Sequence, residues 1–221
     1  MKILVIAAPR SRSTVLVEML RELYPNLTCL YEFYTYNRKN TIEYNTNIIH
    51  SHNQFILKIV GHNIKSEDDI SKLRLDSFDK IYLINRKNYF HQCCSLEVSL
   101  SSGIWHDRNN NAFDKIKDLQ YDLKISTVES IINNVTNFCK IQNYLQTNNI
   151  SYQYYWYENL FDSINIPQNR VQASNIEYKN IISNYEEYKH ICDELFNDKF
   201  IYGDNNILNR ICKPVGVQII N

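Results

Sequence analysis

The chain opens on a continuous apolar run, Ile3 to Ala8 (ILVIAA), rich in β-branched residues. That pattern predicts a strand covered on both faces, ended by Pro9. From Ser13 the apolar spacing changes to three and four. Val15, Leu16, Met19, Leu20 and Leu23 share one face of a helix that Pro25 closes. Phe55–Val60 (FILKIV) predicts a second strand, ended by Gly61, and Lys80–Ile84 (KIYLI) a third that runs into a helix from Tyr89 to Ser101. Val128, Ile131, Ile132, Val135, Phe138 and Leu145 mark a long amphipathic helix. Ser151–Tyr157 (SYQYYWY) reads as a fourth strand leading into a helical turn over Glu158–Phe161, and Tyr185–Phe196 as a last helix. Residues 26–53 and 103–122 read as mixed, polar stretches without clear periodicity.

Strands alternating with helices predict an α/β fold, a three-layer sandwich around a mainly parallel sheet. With 221 residues and no repeat or flexible linker, a single domain over 1–221 is expected. Ligands in such folds bind beyond the carboxyl ends of the strands. The rule selects Pro9–Thr14, Gly61–Asn63, Asn85–Lys87 and Glu158.

Charge changes the picture by exclusion. Lys plus Arg and Asp plus Glu are balanced at 24 each, without the basic excess of a nucleic-acid binder, so no nucleic-acid partner is expected. The six cysteines form no CxxC and match no zinc spacing, which favours free thiols in a reducing compartment and no metal. The first apolar run ends by Ala8, too short for a signal peptide or a membrane span. A soluble, cytoplasmic protein without a membrane partner is expected.

The first loop, Pro9-Arg10-Ser11-Arg12-Ser13-Thr14, joins a strand to a helix N-terminus. Unpaired backbone N–H groups and the positive end of the helix dipole suit an anion there, and two guanidinium groups and three hydroxyls add to them. The competing reading has Ser11 or Ser13 capping the helix while both arginines are solvated. The GxxxxGK[ST] pattern of nucleoside triphosphatases is absent. At the end of the third strand, Arg86 and the helical Ser95 can converge on one phosphate, or both can face solvent.

The first loop and its flanks, APRSRSTVLVEML, resemble the 5′-phosphosulfate loop (PxRSGST) of sulfotransferases that use 3′-phosphoadenosine 5′-phosphosulfate (PAPS). Arg12 stands where that family has glycine. Asn85-Arg86-Lys87-Asn88 and Gln92–Leu96 (QCCSL) are similar to the RRDKxxQAVSL pattern of bacterial trehalose-type sulfotransferases, and Ser102–His106 (SGIWH) to the TGxWH that follows it. The resemblance implies a P-loop-like sulfotransferase fold, with PAPS as cofactor, its product PAP (3′-phosphoadenosine 5′-phosphate), and no metal. It places Arg10, Ser11, Arg12, Ser13 and Thr14 at the phosphosulfate, and Arg86 or Lys87 with Ser95 at the 3′-phosphate. Arg10 then stabilises the transferring group.

Sulfuryl transfer to a hydroxyl needs a base. Glu32, in Leu30-Tyr31-Glu32-Phe33-Tyr34, resembles the glutamate of a GxPxEYF-like segment in the trehalose-type enzymes, and its aromatic neighbours can raise its pKa. His62, after Lys58-Ile59-Val60-Gly61, is the rival. His106 suits a place near the acceptor through the TGxWH likeness, and Glu158 reads as structural. The implied partner is a small hydroxyl compound; residues 34–53 and 103–122 are expected to shape its pocket, and their Tyr, Asn, His and Trp side chains suit a carbohydrate or another polyol. The oligomeric state is not legible. Two alternatives stand beside the enzyme: a non-catalytic binding protein of the same fold, and a P-loop-type nucleotide kinase.

Overall fold

The computed structural model describes residues 1–37, 39–64, 66–105, 116, 118–160 and 177–196. Five strands form one wholly parallel sheet in the order β2-β3-β1-β4-β5. They are β1 (Lys2–Ala7), β2 (Thr28–Leu30), β3 (Phe55–Val60), β4 (Lys80–Asn85) and β5 (Gln153–Trp156). The apolar runs become the three central strands. β1 is the middle one, with Lys2 opposite Phe55 of β3 and Ile3 opposite Lys80 of β4.

Alternation along β1 divides the core in two. Ile3, Val5 and Ala7 pack with Leu16, Val17 and Leu20 of helix α1 (Ser13–Leu23). Leu4 and Ile6 face the opposite layer. There Ile49 of α3 (Ile42–Ser51), Ile70 of α4 (Glu67–Lys72) and Phe138, Ile141 and Leu145 of α6 (Ile125–Thr147) close the core. Successive side chains of a strand point to opposite faces, so this division makes the three layers. A further cluster joins α5 (Tyr89–Ser102) to α6, to α7 (Tyr178–Ile181) and to α8 (Tyr185–Leu195) through Cys93, Cys94, Val128, Ile131, Ile181 and Cys192. The five described cysteines are unbridged. No helix among the described residues is long and apolar enough to cross a membrane.

Residues 26–53 are more regular than their polarity predicts. They contain β2, the short α2 (Phe33–Tyr36) and α3. In α3, Asn45 and Thr46 are buried beside Ile49: Thr46 bonds Tyr34, and the Asn45 amide donates to Asn37 O. Polar side chains with internal partners therefore do what apolar ones do elsewhere, which hides the helix from a hydrophobic pattern. Tyr121, within the stretch expected to be irregular, bridges to Ile182 in parallel.

Two glycines have a positional reason. Gly103 ends α5 at φ 71°, the left-handed conformation that glycine adopts at least cost. Gly61 lies so close to α6 that a Cβ there would stand 2.9 Å from the Asn134 carbonyl oxygen.

Candidate functional site

The carboxyl ends of β1, β3 and β4 meet at one edge of the sheet. Ala8 continues the pairing of β1 by donating to Ile84 O at 3.0 Å, and the chain then turns through Pro9–Arg12 into α1. Arg10 (φ 59°) and Arg12 (φ 57°) both take the left-handed conformation. For a side chain other than glycine this costs on the order of 1 kcal/mol per residue. Two such residues in one short loop are backbone strain concentrated at a single place.

Neither serine of the loop caps α1. Ser11 is fully buried and its hydroxyl donates to Ala8 O at 2.6 Å, which fixes the turn. Ser13 is the first helical residue, and the N-cap is Arg12, whose side chain makes no capping hydrogen bond. No acid lies in the first turn of α1. The helix therefore presents its positive end toward the loop without an internal counter-anion in that turn.

Three guanidinium groups gather around this end. Arg12 and Arg86 lie over the ring of Tyr157, with their guanidinium carbons 4.7 and 4.4 Å from its centroid. Arg10 Nε donates to Ser95 Oγ at 2.9 Å, and its terminal nitrogen donates to Trp105 O at 2.8 Å. The first loop and the helix after β4 are thus in direct contact, and Gln92 of α5 adds a bond from its amide to Pro9 O. Burial lowers the pKa of Arg10 and of Arg12 from the ordinary guanidinium value, and repulsion from Arg86 acts the same way on both. Arg86 is 7% exposed, and its Nε has no hydrogen-bond partner among the described residues. The Glu158 carboxylate stands 3.9 Å away from it.

Glu158 is occupied elsewhere. It accepts from Lys87 N at 3.0 Å and Asn88 N at 3.2 Å, and Asn88 Oδ1 in turn caps α5 by accepting from His91 N. Lys87 turns its ammonium toward Trp156 and Asn159, away from the contacts that join Arg10, Ser95 and Arg86. Of the two basic residues after β4, Arg86 is the one beside the first loop.

On the other flank of α1, a residue outside the expected set enters the site. Lys58, in the middle of β3, is buried and donates to Thr14 Oγ1 at 3.0 Å and to Glu32 Oε1 at 2.6 Å. A buried ammonium needs such partners. Its sequence signal is one lysine in an otherwise apolar strand, FILKIV. Glu32 itself sits at φ 45°, before α2. The hydroxyls of its neighbours turn elsewhere, Tyr31 to Glu18 and Tyr34 to Thr46, so the described partner of the carboxylate is Lys58 rather than an aromatic shell. His62 lies on the 3-10 turn Gly61–Asn63 after β3. Partial desolvation lowers its pKa below 6.5, with Glu32 opposing the shift and Lys58 adding to it. Both candidate bases therefore feel the same lysine. His106 lies outside the described residues.

No known family model, characterised protein or solved structure matches this chain. The assignment of chemistry rests on the residues themselves. Arg10, Arg12 and Arg86 thus lie together beside the N-terminus of α1. Thr14 is joined through Lys58 to Glu32, and both of those charges act on His62.

Proposed function

We propose that the protein is a sulfotransferase that moves a sulfuryl group from PAPS to a hydroxyl acceptor, within a P-loop-like sulfotransferase fold. The observation that carries this reading is the Arg10 Nε–Ser95 Oγ bond of 2.9 Å. It ties together two motifs that resemble the two phosphate sites of that family and lie far apart in sequence. The fit to PAPS is supported by the buried Arg86 Nε, which has no hydrogen-bond partner among the described residues, and by the α1 N-terminus that lacks a side-chain cap. Both are donors that an anion would satisfy.

On this reading Arg86 and Ser95 hold the 3′-phosphate, and Arg10, Arg12 and the amides at the start of α1 hold the phosphosulfate. PAPS supplies the transferable group: its S–O bond to phosphate breaks, the leaving oxygen keeping the electron pair, as an S–O bond to the acceptor forms. Arg10 stays charged and acts as a fixed electrostatic clamp. Lys58 orients Glu32 and places a second cation beside Thr14. Glu32 takes the proton of the acceptor hydroxyl, with His62 as the rival base.

Thermal denaturation with PAP, ATP and GTP tests the cofactor. PAP at 100 times its dissociation constant is expected to stabilise by about 2.7 kcal/mol. Stabilisation by ATP and not by PAP rejects the reading in favour of a nucleotide kinase. PAP binding with no transfer of labelled sulfate to any hydroxyl acceptor leaves a binding protein.

A further inference from the structure

Arg12 follows β1 and Arg86 follows β4, yet the ring on which both rest belongs to a third strand. β5 pairs with β4 and is not a neighbour of β1. Asn85 stands opposite Trp156 in that pairing, which brings the next residues, Arg86 and Tyr157, side by side at the strand ends. From there Tyr157 reaches past the end of β4 to the first loop, where its ring centroid lies 4.7 Å from the Arg12 guanidinium carbon. One side chain thus spans the carboxyl ends of the sheet from β5 to β1.

This contact accounts for a residue that the loop otherwise holds at a cost. Arg12 takes the left-handed conformation at φ 57°, which an arginine adopts less readily than a glycine. Its side chain makes no capping bond to α1. It lies instead over the Tyr157 ring and hydrogen-bonds the Tyr157 side chain. A glycine at position 12, as in the loop that this segment resembles, would have nothing to lay there.

An aromatic ring is a distinctive partner for two cations. Its face attracts a guanidinium through the ring quadrupole while carrying no net charge. A carboxylate in the same place would neutralise the cations and occupy their N–H donors. The neighbouring acid does not take that role. Glu158, the next residue of the 3-10 turn Tyr157–Asn159, accepts from the backbone amides of Lys87 and Asn88 and stands 3.9 Å from Arg86 Nε. Tyr157 and Arg12 are both half-buried, so the ring holds the cations where a ligand can reach them.

We propose that Tyr157 is a positioning residue: its ring fixes Arg12 and Arg86 relative to each other, so that the two guanidinium groups engage one polyanion as a unit. That the polyanion is PAPS rests on the transferase reading; the coupling of the two arginines through the ring does not. A ligand with two linked phosphoryl groups suits such a pair, because each group can meet one cation without drawing it away from the other.

Titration calorimetry of the full chain with inorganic pyrophosphate and, separately, with PAP tests the proposal. Tyr157→Leu is expected to weaken pyrophosphate binding about tenfold, the scale of two cation–π contacts. Tyr157→Phe, which keeps the ring and loses the hydroxyl, should weaken it no more than about threefold. The losses in Arg12→Ala, Arg86→Ala and the double variant should be non-additive with Tyr157 present and additive in the Tyr157→Leu background. A side chain that only supported the fold would not move that coupling. Proton–nitrogen spectra of the arginine Nε–Hε groups give a second measure without ligand: those of Arg12 and Arg86 should shift in Tyr157→Leu and hold in Tyr157→Phe. No pyrophosphate binding by the wild-type chain, wild-type affinity in Tyr157→Leu, equal losses in the two Tyr157 variants, or unchanged coupling overturns the proposal. The expected responses to pyrophosphate without PAP binding would uphold the role of Tyr157 and count against the transferase reading alone. PAP binding that Tyr157→Leu leaves intact would do the reverse.

Discussion

At the N-terminus of α6 the amide of the N-cap residue Lys124 meets a buried carboxylate from the same molecule, whereas the N-terminus of α1 meets a strained loop rich in arginine. Glu97 of α5 is 1% exposed. It accepts from Lys124 N at 3.3 Å, Thr127 Oγ1 at 2.5 Å and Ser101 Oγ at 2.8 Å, with the Lys124 ammonium 3.5 Å away. Every polar group in that arrangement answers another. Around α1, burial and repulsion from Arg86 both lower the pKa of Arg10 and Arg12, and the Arg86 Nε has no hydrogen-bond partner among the described residues. The same backbone dipole meets a carboxylate of the molecule itself in one place and guanidinium groups in the other.

Substitutions at the two helix ends should therefore separate stability from binding. Glu97→Ala should have the largest effect on the fold, a loss of roughly 3 kcal/mol from the abandoned hydroxyl and amide partners. Urea denaturation measures it, and PAP affinity of the folded fraction should be unchanged. Arg86→Ala should do the reverse, weakening PAP binding about tenfold to a hundredfold through the loss of a charge-assisted contact, with little change in the urea midpoint. Unchanged PAP affinity would place the 3′-phosphate elsewhere.

Arg12→Gly is the finer probe. Relief of the left-handed strain should stabilise the fold by about 1 kcal/mol, less whatever the contact with Tyr157 contributes. A weaker hold on PAP is expected alongside. Stabilisation with unaltered PAP affinity would show that Arg12 serves the loop and not the ligand.

The smallest expected effect is on pH dependence. His50, His62 and His91 all have pKa values lowered from 6.5, in each case first by desolvation. Between the lowered values and 6.5 the unfolded chain binds more protons than the native one, so stability should rise with pH in that window and level off above it. The melting temperature should change by roughly a few degrees over that range. A decline of stability as pH rises toward 6.5 would contradict the desolvation of these rings.

The layered fold was legible because its central strands are nearly uninterrupted apolar runs and its longest helices keep one apolar face. β2 was not, being three residues at the sheet edge, and α3 was not, because Asn45 and Thr46 fill its buried face. The same division holds at the site. The first loop and Arg86 could be located because strand ends are where such sheets place ligands, and their contact through Ser95 follows from β1 and β4 being neighbours. Lys58 and Glu97 were missed. Each is a charge in an apolar setting whose partners lie far along the chain, and only tertiary pairing reveals why it is tolerated.

The position of β1 also sets the order in which the molecule can assemble. This strand is synthesised first, yet its neighbours begin only at Phe55 and Lys80. At about 5–20 residues per second the nascent apolar segment waits on the order of several seconds for its second neighbour. Pairings this distant in sequence make for slow folding and a long exposure to aggregation. During that interval α1, the first helix to follow, can shield one side of the run through Leu16, Val17 and Leu20. The loop between them must therefore take shape early, before the strand that carries Arg86 toward it has been made.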